Sequence, residues 1–271
     1  MASIKNRLVA KAYSVPLRVT ALVAVNSESR DELKQRGAPV ATYVLIHGAW
    51  RGSWTLKRVR DQLAAAGHQV FTPTLTGLGE RAHLLSRNVG LGTHIEDVTN
   101  LLIWEELRDV VLVGASYGGC IVRHVADRMR DRVRSLVYVD AFVPEDGKCV
   151  ADYEPNFGTL RALAADHGDG WKVPPPPASY FGVNAADAGW VDRQCTMHPL
   201  STLETPAQLS GACDEVGNIG YILARNFPNS PFPQFDARAA DRGWWRAELP
   251  CGHDITLDMP NKLTMLLLER T

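Results

Sequence analysis

The stretch Leu112–Cys120, which reads LVGASYGGC, places a serine between glycines, after an apolar run and before an amphipathic one. Residues Gly114 to Gly118 match the pattern G-x-S-x-G. Between a strand and a helix, this pattern is typical of a sharp, strained turn that exposes the serine Oγ at the carboxyl edge of a sheet. The context therefore favours Ser116 as a nucleophile over the alternative, a plain glycine-rich turn.

The chain around this motif alternates short apolar runs with amphipathic segments. Four strands are predicted from the runs TYVLIHG, QVFTP, DVVLVGAS and VRSLVYVDAF, with crossover helices between them. One of these helices is expected to begin with a capping box from Thr93 to Glu96. Regular β-α alternation predicts an α/β fold with a doubly wound, mostly parallel sheet.

The alternation breaks at Pro144 and resumes with the predicted strands IGYILAR and GWWRAEL and a terminal helix. Residues 144–211 are rich in proline, glycine, alanine and aromatic residues and lack strong periodicity. A run of this length is typical of a lid, so we predict one folded unit over residues 41–271 with an inserted cap at about 144–211.

Residues 1–40 differ from the rest of the chain, since they are basic and contain no acidic residue before Glu28. A secretory signal is not indicated, because Arg18 interrupts the apolar stretch. We interpret the segment as an extension outside the folded unit. It is a disordered segment, a targeting segment or the product of a misassigned start, with Val40 as the true first residue. The misassigned start is the interpretation that we prefer. Expression from residue 40 tests this hypothesis, and loss of folding or activity would contradict it.

Composition narrows the class of partners. The formal net charge of -1 argues against nucleic acid, and no apolar run approaches the roughly 18 residues of a membrane span. The five cysteines are dispersed without a CxxC pair, which favours reduced thiols and a cytoplasmic protein. The sequence shows no HExxH, no cluster of His and Cys ligands and no Walker A pattern, so no metal or cofactor is expected.

A serine hydroxyl is a weak nucleophile until a base takes its proton. His253, in ELPCGHD after the last predicted strand, stands where the chain order of such sites places that base. The other histidines are expected to be surface or hydrogen-bonding residues, and His47 to shape the loop HGAW. The two backbone N–H donors of an oxyanion hole are predicted at Ala49, in that loop, and at Tyr117, directly after Ser116.

Four motifs together resemble the α/β-hydrolases, and within them the branch of plant methyl esterases and hydroxynitrile lyases with its bacterial carboxylesterase relatives. They are YVLIHGAWRGSW, GASYGG, YVDAFVPEDG and LPCGHD, and they extend from Tyr43 to the end of the chain. The resemblance implies a Ser-His-acid triad and a small, apolar ester pocket under the cap. The lyases of this branch carry a threonine and a lysine where this chain has Gly48 and Asp254, so lyase activity is not expected.

The acid of the triad departs from the plant pattern. The plant members place an aspartate just after the strand that follows the cap, where this chain reads YILARNFPNSPF without a carboxylate. Asp140 instead ends the strand before the cap, a position that some haloalkane dehalogenases of the same fold use. Either strand end can supply a carboxylate to the histidine Nδ1–H. We predict Asp140, with a structural strand-end role as its alternative and with Asp236 and Asp214 as alternative acids.

These predictions favour a serine carboxylesterase that acts on small-molecule esters through an acyl-enzyme on Ser116. Amide or carbamate hydrolysis by the same triad is an alternative, and a non-catalytic ligand-binding protein on a hydrolase scaffold is another. Several aromatic residues are candidates for the pocket lining, although for each one taken singly the favoured interpretation is packing in the core or the cap: Trp50, Tyr117, Phe142, Trp171, Tyr180, Phe181 and Trp190.

Overall fold

The computed structural model describes residues 40–271, so the predicted extension over residues 1–40 lies outside it except for Val40. The strands are β1 (Thr42–Ile46), β2 (Gln69–Phe71), β3 (Val110–Ala115), β4 (Val133–Val139), β5 (Lys172–Val173), β6 (His198–Pro199), β7 (Asn218–Ala224) and β8 (Trp245–Leu249). Six of them form one sheet in the order β2-β1-β3-β4-β7-β8. Every pair of neighbours in this sheet is parallel.

The α-helices are α1 (Lys57–Ala65), α2 (Leu91–Trp104), α3 (Gly118–Arg128), α4 (Phe157–His167), α5 (Ala185–Gln194), α6 (Ser201–Glu204), α7 (Pro233–Asp241), α8 (Ile255–Asp258) and α9 (Pro260–Arg270). Short 3-10 helices cover Ser53–Leu56, Gly79–Leu84, Arg130–Arg132, Val150–Asp152, Ala178–Phe181 and Ala212–Glu215. Within residues 40–271, no helix combines the length and the apolar character that crossing a membrane requires.

The sheet is covered on both faces, as the nearly continuous apolar character of β3 and β4 requires. One apolar cluster joins the sheet to α2, α3 and α7, and a second joins the opposite face to α1 and α9. Because all six strands are parallel, their carboxyl ends meet at one edge of the sheet. The doubly wound α/β prediction is therefore confirmed, and the loops after β1, β3, β4 and β8 lie together.

One helix boundary differs from the sequence prediction. Helix α2 begins at Leu91, so Thr93 lies inside its first turn and the predicted capping box from Thr93 to Glu96 is wrong. The Thr93 hydroxyl accepts a hydrogen bond from the backbone N–H of Gly90 at 3.2 Å. The threonine therefore helps to cap the helix, but from a position three residues after the N-cap.

The chain leaves the sheet between β4 and β7. This stretch contains α4, α5, α6 and the antiparallel pair of β5 with β6, all between residues 150 and 204. The tetraproline Pro174–Pro177 connects β5 to the 3-10 helix Ala178–Phe181. These elements fall inside the range of residues 144–211, which we continue to interpret as a cap.

Candidate active site

Ser116 occupies the turn between β3 and α3 with a φ of 52°. This left-handed backbone conformation is uncommon for a residue with a side chain, and it is characteristic of strained functional turns. The glycines beside it are required by close packing, since a Cβ on Gly118 would lie 2.6 Å from the Ile46 carbonyl oxygen. A Cβ on Gly119 would lie 2.3 Å from the Phe142 carbonyl oxygen. The glycines thus allow the turn to approach the neighbouring strand ends.

His253 and Asp140 form a buried pair after β8 and β4. The distance from His253 Nδ1 to Asp140 Oδ2 is 2.6 Å, and Asp140 is fully buried. The other carboxylate oxygen accepts the backbone N–H of Ala224 at 3.0 Å. Burial raises the pKa of Asp140, while the hydrogen bond and the charge of His253 oppose that shift. An ionised Asp140 places the imidazole proton on Nδ1 and leaves the Nε2 lone pair free to accept a proton.

The two alternative acids are engaged elsewhere. Asp236 pairs with Arg246, which donates from Nε at 2.8 Å as well as from Nη2. Asp214 accepts hydrogen bonds from Arg123 Nη1 at 3.0 Å, from Arg123 Nη2 at 3.1 Å and from Arg242 Nη1 at 2.7 Å. The structure therefore brings Asp140 to His253 and leaves both alternatives in ion pairs of their own.

Three phenylalanines surround the His253 ring. Phe232 is stacked on it with ring centroids 4.9 Å apart and an interplanar angle of 4°. Phe227 lies at 4.9 Å and Phe181 at 5.6 Å, and the Phe181 carbonyl also accepts the His253 backbone N–H at 2.8 Å. The histidine is 8% exposed. These rings fix the plane of the imidazole and keep water from most of its surface.

The loop after β1 lies against Ser116. A Cβ on Gly48 would come within 2.9 Å of the Ser116 Cβ, so this position has no room for the threonine of the lyases without a shift. Within residues 40–271, neither Ala49 nor Tyr117 uses its backbone N–H in a backbone hydrogen bond. Both residues line the same cavity as Ser116. These two amides are thus free to bind an oxyanion, as an oxyanion hole requires.

His47 stabilises the loop after β1 through two hydrogen bonds of its ring. Its Nδ1–H donates to the Gly48 carbonyl at 2.8 Å, and its Nε2 accepts the Leu75 N–H at 3.1 Å. Complete burial lowers the pKa of His47 to about 4, so the ring is neutral near pH 7. These contacts agree with the structural role predicted for this residue.

A network of neutral histidines extends beneath the site. The Tyr117 hydroxyl donates to His94 Nδ1 at 3.0 Å, and His94 Nε2–H donates to a backbone carbonyl at 2.9 Å. His198 Nδ1 accepts the Trp50 N–H at 3.4 Å, and its Nε2–H donates to Thr202 at 2.7 Å. Burial lowers the pKa of both histidines. The network fixes the Tyr117 side chain and the backbone of Trp50, whose φ is 60°.

An ion pair joins the β1 loop to the histidine loop. Arg51 donates from Nη2 to Asp254 Oδ2 at 2.7 Å, and the Arg51 side chain is buried while that of Asp254 is 11% exposed. Arg51 also donates from Nη1 to Cys195 Sγ at 2.7 Å and lies 4.8 Å from the centroid of the Phe181 ring. The charge of Arg51 lowers the pKa of Asp254 despite its burial. The ion pair of Asp254 with Arg51 therefore ties the loop that carries His253 to the loop after β1.

A cavity of about 630 Å³ contains Ser116 and His253 in its lining. Of the predicted pocket residues, Trp50, Tyr117, Phe142, Tyr180 and Phe181 lie in its wall. The prediction is wrong for two tryptophans, which pack outside the cavity. Trp190 meets Trp54 edge to face at 4.8 Å, and Trp171 lies under Arg87 and Lys172.

Sequence reasoning also missed part of the wall. Phe227 and Phe232, which stack on His253, follow β7 in the stretch NFPNSPF, where the plant members place their acid. The absence of a carboxylate there was visible in the sequence, but the function of the aromatic residues was not. The tetraproline Pro174–Pro177 also lines the cavity, and the proline run was the available signal for it. No group of three or more potential metal ligands occurs in the part of the chain from Val40 onward.

Comparison with known proteins identifies the family. A model described as the alpha/beta hydrolase family matches residues 43–264. The chain belongs to the alpha/beta hydrolase family. A carbendazim hydrolyzing esterase from Nocardioides sp. (strain SG-4G) is 44% identical over 236 residues, which cover 83% of this chain and 97% of that protein. This similarity confirms the expected carboxylesterase type of hydrolase.

More distant relatives agree with the predicted branch. Methylesterase 2 from Arabidopsis thaliana is 28% identical over 131 residues, which cover 48% of each protein. Among solved structures, an extracellular alpha/beta-hydrolase from a Paenibacillus species superimposes with a TM-score of 0.74. It is 24% identical, and the match covers 86% of this chain and 99% of that one, so this likeness supports the fold.

Proposed function

We propose that the protein is a serine carboxylesterase in which Ser116, His253 and Asp140 form the catalytic triad. The observation that carries the proposal is the buried Asp140–His253 pair at 2.6 Å, whose imidazole shares one cavity with a serine in a left-handed turn. In this hypothesis His253 is the general base and Asp140 fixes its tautomer.

The reaction follows from these roles. The Ser116 Oγ attacks the ester carbonyl carbon as its proton passes to His253 Nε2, and Asp140 stabilises the resulting imidazolium. The N–H groups of Ala49 and Tyr117 bind the oxyanion of the tetrahedral intermediate. Collapse of the intermediate transfers the proton from His253 to the leaving alcohol and forms the acyl-enzyme. Water, deprotonated by the same histidine, then releases the carboxylic acid and restores the serine.

The cavity wall supports a small, largely apolar substrate. Aromatic, proline and leucine side chains dominate its lining, and a substrate that displaces water from this lining strengthens the electrostatic contacts with the transition state. A cytoplasmic location is also proposed, since all five cysteines are free thiols.

Carbamate hydrolysis is the second candidate function, because the relative that is 44% identical is named for the hydrolysis of carbendazim. Carbendazim is a methyl carbamate, and its carbonyl carbon offers the serine the same acyl transfer as an ester. Turnover of carbendazim and of para-nitrophenyl esters by one preparation, with the ratio of their kcat/KM values, decides between the two substrate classes.

Covalent labelling tests the proposed nucleophile. A fluorophosphonate probe should modify the protein at Ser116, mapped by mass spectrometry of the digested adduct. His253→Ala should abolish rapid labelling, whereas His124→Ala, on α3 but outside the cavity lining, should retain it after correction for stability. Absence of label on the wild-type protein would favour the non-catalytic, ligand-binding alternative.

A further inference from the structure

One carboxylate lies in the wall of the otherwise apolar cavity. Among the described residues that line this cavity, only Glu154 and His253 have side chains that ionise with an ordinary pKa below 7. It follows the 3-10 helix Val150–Asp152, and it faces a lining that is otherwise largely aromatic, proline and leucine. The triad chemistry described above does not use this side chain.

The carboxylate of Glu154 has few hydrogen-bond or charge partners among the described residues. Its Oε1 accepts the backbone N–H of Asn156 at 3.1 Å, and no arginine, lysine or histidine forms an ion pair with it in the described part of the chain. By contrast, Asp254, Asp236 and Asp214 each have an arginine partner, and Asp140 has His253. Burial raises the pKa of Glu154, while the hydrogen bond from the Asn156 N–H and the charge of His253 oppose that shift. A half-buried carboxylate without a cationic partner can accept a hydrogen bond from a donor group on a ligand.

The surrounding rings favour the same ligand chemistry. Tyr180, Phe181 and Phe227 line the cavity together with Glu154. Aromatic faces attract a cation or a polarised N–H group, and a hydrogen bond from such a donor to a carboxylate is about twice as strong as a neutral one. An anionic substrate group would instead be repelled by Glu154.

We propose that Glu154 is a specificity-determining residue that accepts a hydrogen bond from a nitrogen donor on the substrate. The preferred substrates are then esters or carbamates with an aromatic or apolar body that bears an ammonium or N–H group. This inference rests on the proposed function of Ser116 and adds the class of substrate that the site selects.

Matched substrate pairs test the proposal. On the acyl side, para-nitrophenyl para-(aminomethyl)benzoate is compared with its para-ethyl counterpart. On the leaving-group side, para-(aminomethyl)phenyl acetate is compared with para-ethylphenyl acetate. Each pair differs by an ammonium in place of a methyl group, so the ratio of the two kcat/KM values isolates the donor.

In the wild-type protein, the amine should be preferred in at least one pair. Glu154→Gln should lower that preference by about tenfold or more, the range for a hydrogen bond to a charged group. Glutamine retains an oxygen for the Asn156 N–H, so the loop should keep its conformation. Glu154→Leu, which removes the acceptor, should lower the preference further. Glu269→Gln, an exposed change of the same charge on α9, should leave all ratios unchanged.

Two results would overturn the proposal. If both pairs keep their wild-type ratios in Glu154→Gln and Glu154→Leu while the ethyl substrates are hydrolysed, Glu154 does not recognise a nitrogen donor and the proposed esterase function stands. If no substrate of either pair is hydrolysed and Ser116 takes no fluorophosphonate label, the proposed function fails and this inference with it.

Discussion

Replacement of Asp140 by asparagine removes the charge behind His253 with almost no change in volume. The Ala224 N–H holds one oxygen of the side chain, so the asparagine oxygen stays there and its NH₂ group faces His253 Nδ1. An amide donor at this place requires Nδ1 to accept, which moves the imidazole proton to Nε2. The base then presents an N–H instead of a lone pair to Ser116. The same change in another serine hydrolase lowers kcat by about 10⁴, equivalent to about 5.5 kcal/mol of activation free energy.

The assay is the kcat/KM of Asp140→Asn for para-nitrophenyl acetate, with the urea midpoint as the measure of folding. We expect a loss of about 10⁴ in rate and a folded protein. Asp236→Asn and Asp214→Asn serve as controls that remove the alternative acids, and their rates, at a temperature where they are folded, should stay within about tenfold of wild type. A rate for Asp140→Asn within tenfold of wild type would refute the role of this carboxylate.

Three further predictions concern stability, each measured by urea unfolding. Gly119→Ala places a methyl group against a backbone oxygen and should cost about 1–3 kcal/mol, whereas Gly158→Ala, in open space on α4, should be neutral or stabilising. Asp254→Asn leaves Arg51 buried without its charge partner and should cost about 3–5 kcal/mol at neutral pH. Because the folded pKa of Asp254 lies below its ordinary value, the difference from wild type should shrink only as the pH falls below about 4. Neutral burial of His47 should contribute about 1.4 kcal/mol per pH unit to the loss of wild-type stability as the pH falls from 6.5 to about 4, and His47→Gln should lower the slope by this amount while the buried His94 and His198 keep their own contributions. An unchanged slope would contradict the neutral state of that ring.

The residues at the carboxyl ends of strands could be predicted from the sequence because their signals are local. Ser116 lies between glycines directly after an apolar strand, and His253 follows the last strand after a glycine. In a parallel sheet these ends meet at one edge, so the fold class alone brings the residues close. The same reasoning predicted the oxyanion-hole amides at Ala49 and Tyr117, and the structure places both residues in the wall of the cavity that contains Ser116.

The choice of acid needed the structure, because it depends on the pairing of residues 113 positions apart. Asp140 follows β4 and His253 follows β8, and in the sheet only β7 lies between these two strands. The Asp140 side chain extends across the end of β7, where the N–H of Ala224 donates to the same carboxylate. The separation of two residues along the chain does not show whether their side chains meet in the fold. The sequence therefore left Asp236 and Asp214 as alternative acids of the triad.

The pocket wall was the least predictable part. The segment that supplies much of it has no strong hydrophobic period, so nothing in the sequence indicated which aromatic side chains face the cavity. Trp171 and Trp190 are turned toward other partners, while Phe227 and Phe232 enter the wall from beyond this segment. The ion pair of Arg51 with Asp254 was equally hidden, because two residues about two hundred positions apart form it.

Trapping the acyl-enzyme is the most direct measurement of the proposed mechanism. The wild-type protein is mixed with para-nitrophenyl acetate, quenched in acid during turnover and digested for mass spectrometry. We predict an acetyl group on the peptide that contains Ser116, no such adduct in Ser116→Ala, and accumulation too slow to detect at the same time in His253→Ala. Steady turnover by Ser116→Ala, or an acetyl group on another residue that the wild type forms at the rate of turnover, would contradict the assignment of Ser116 as the nucleophile.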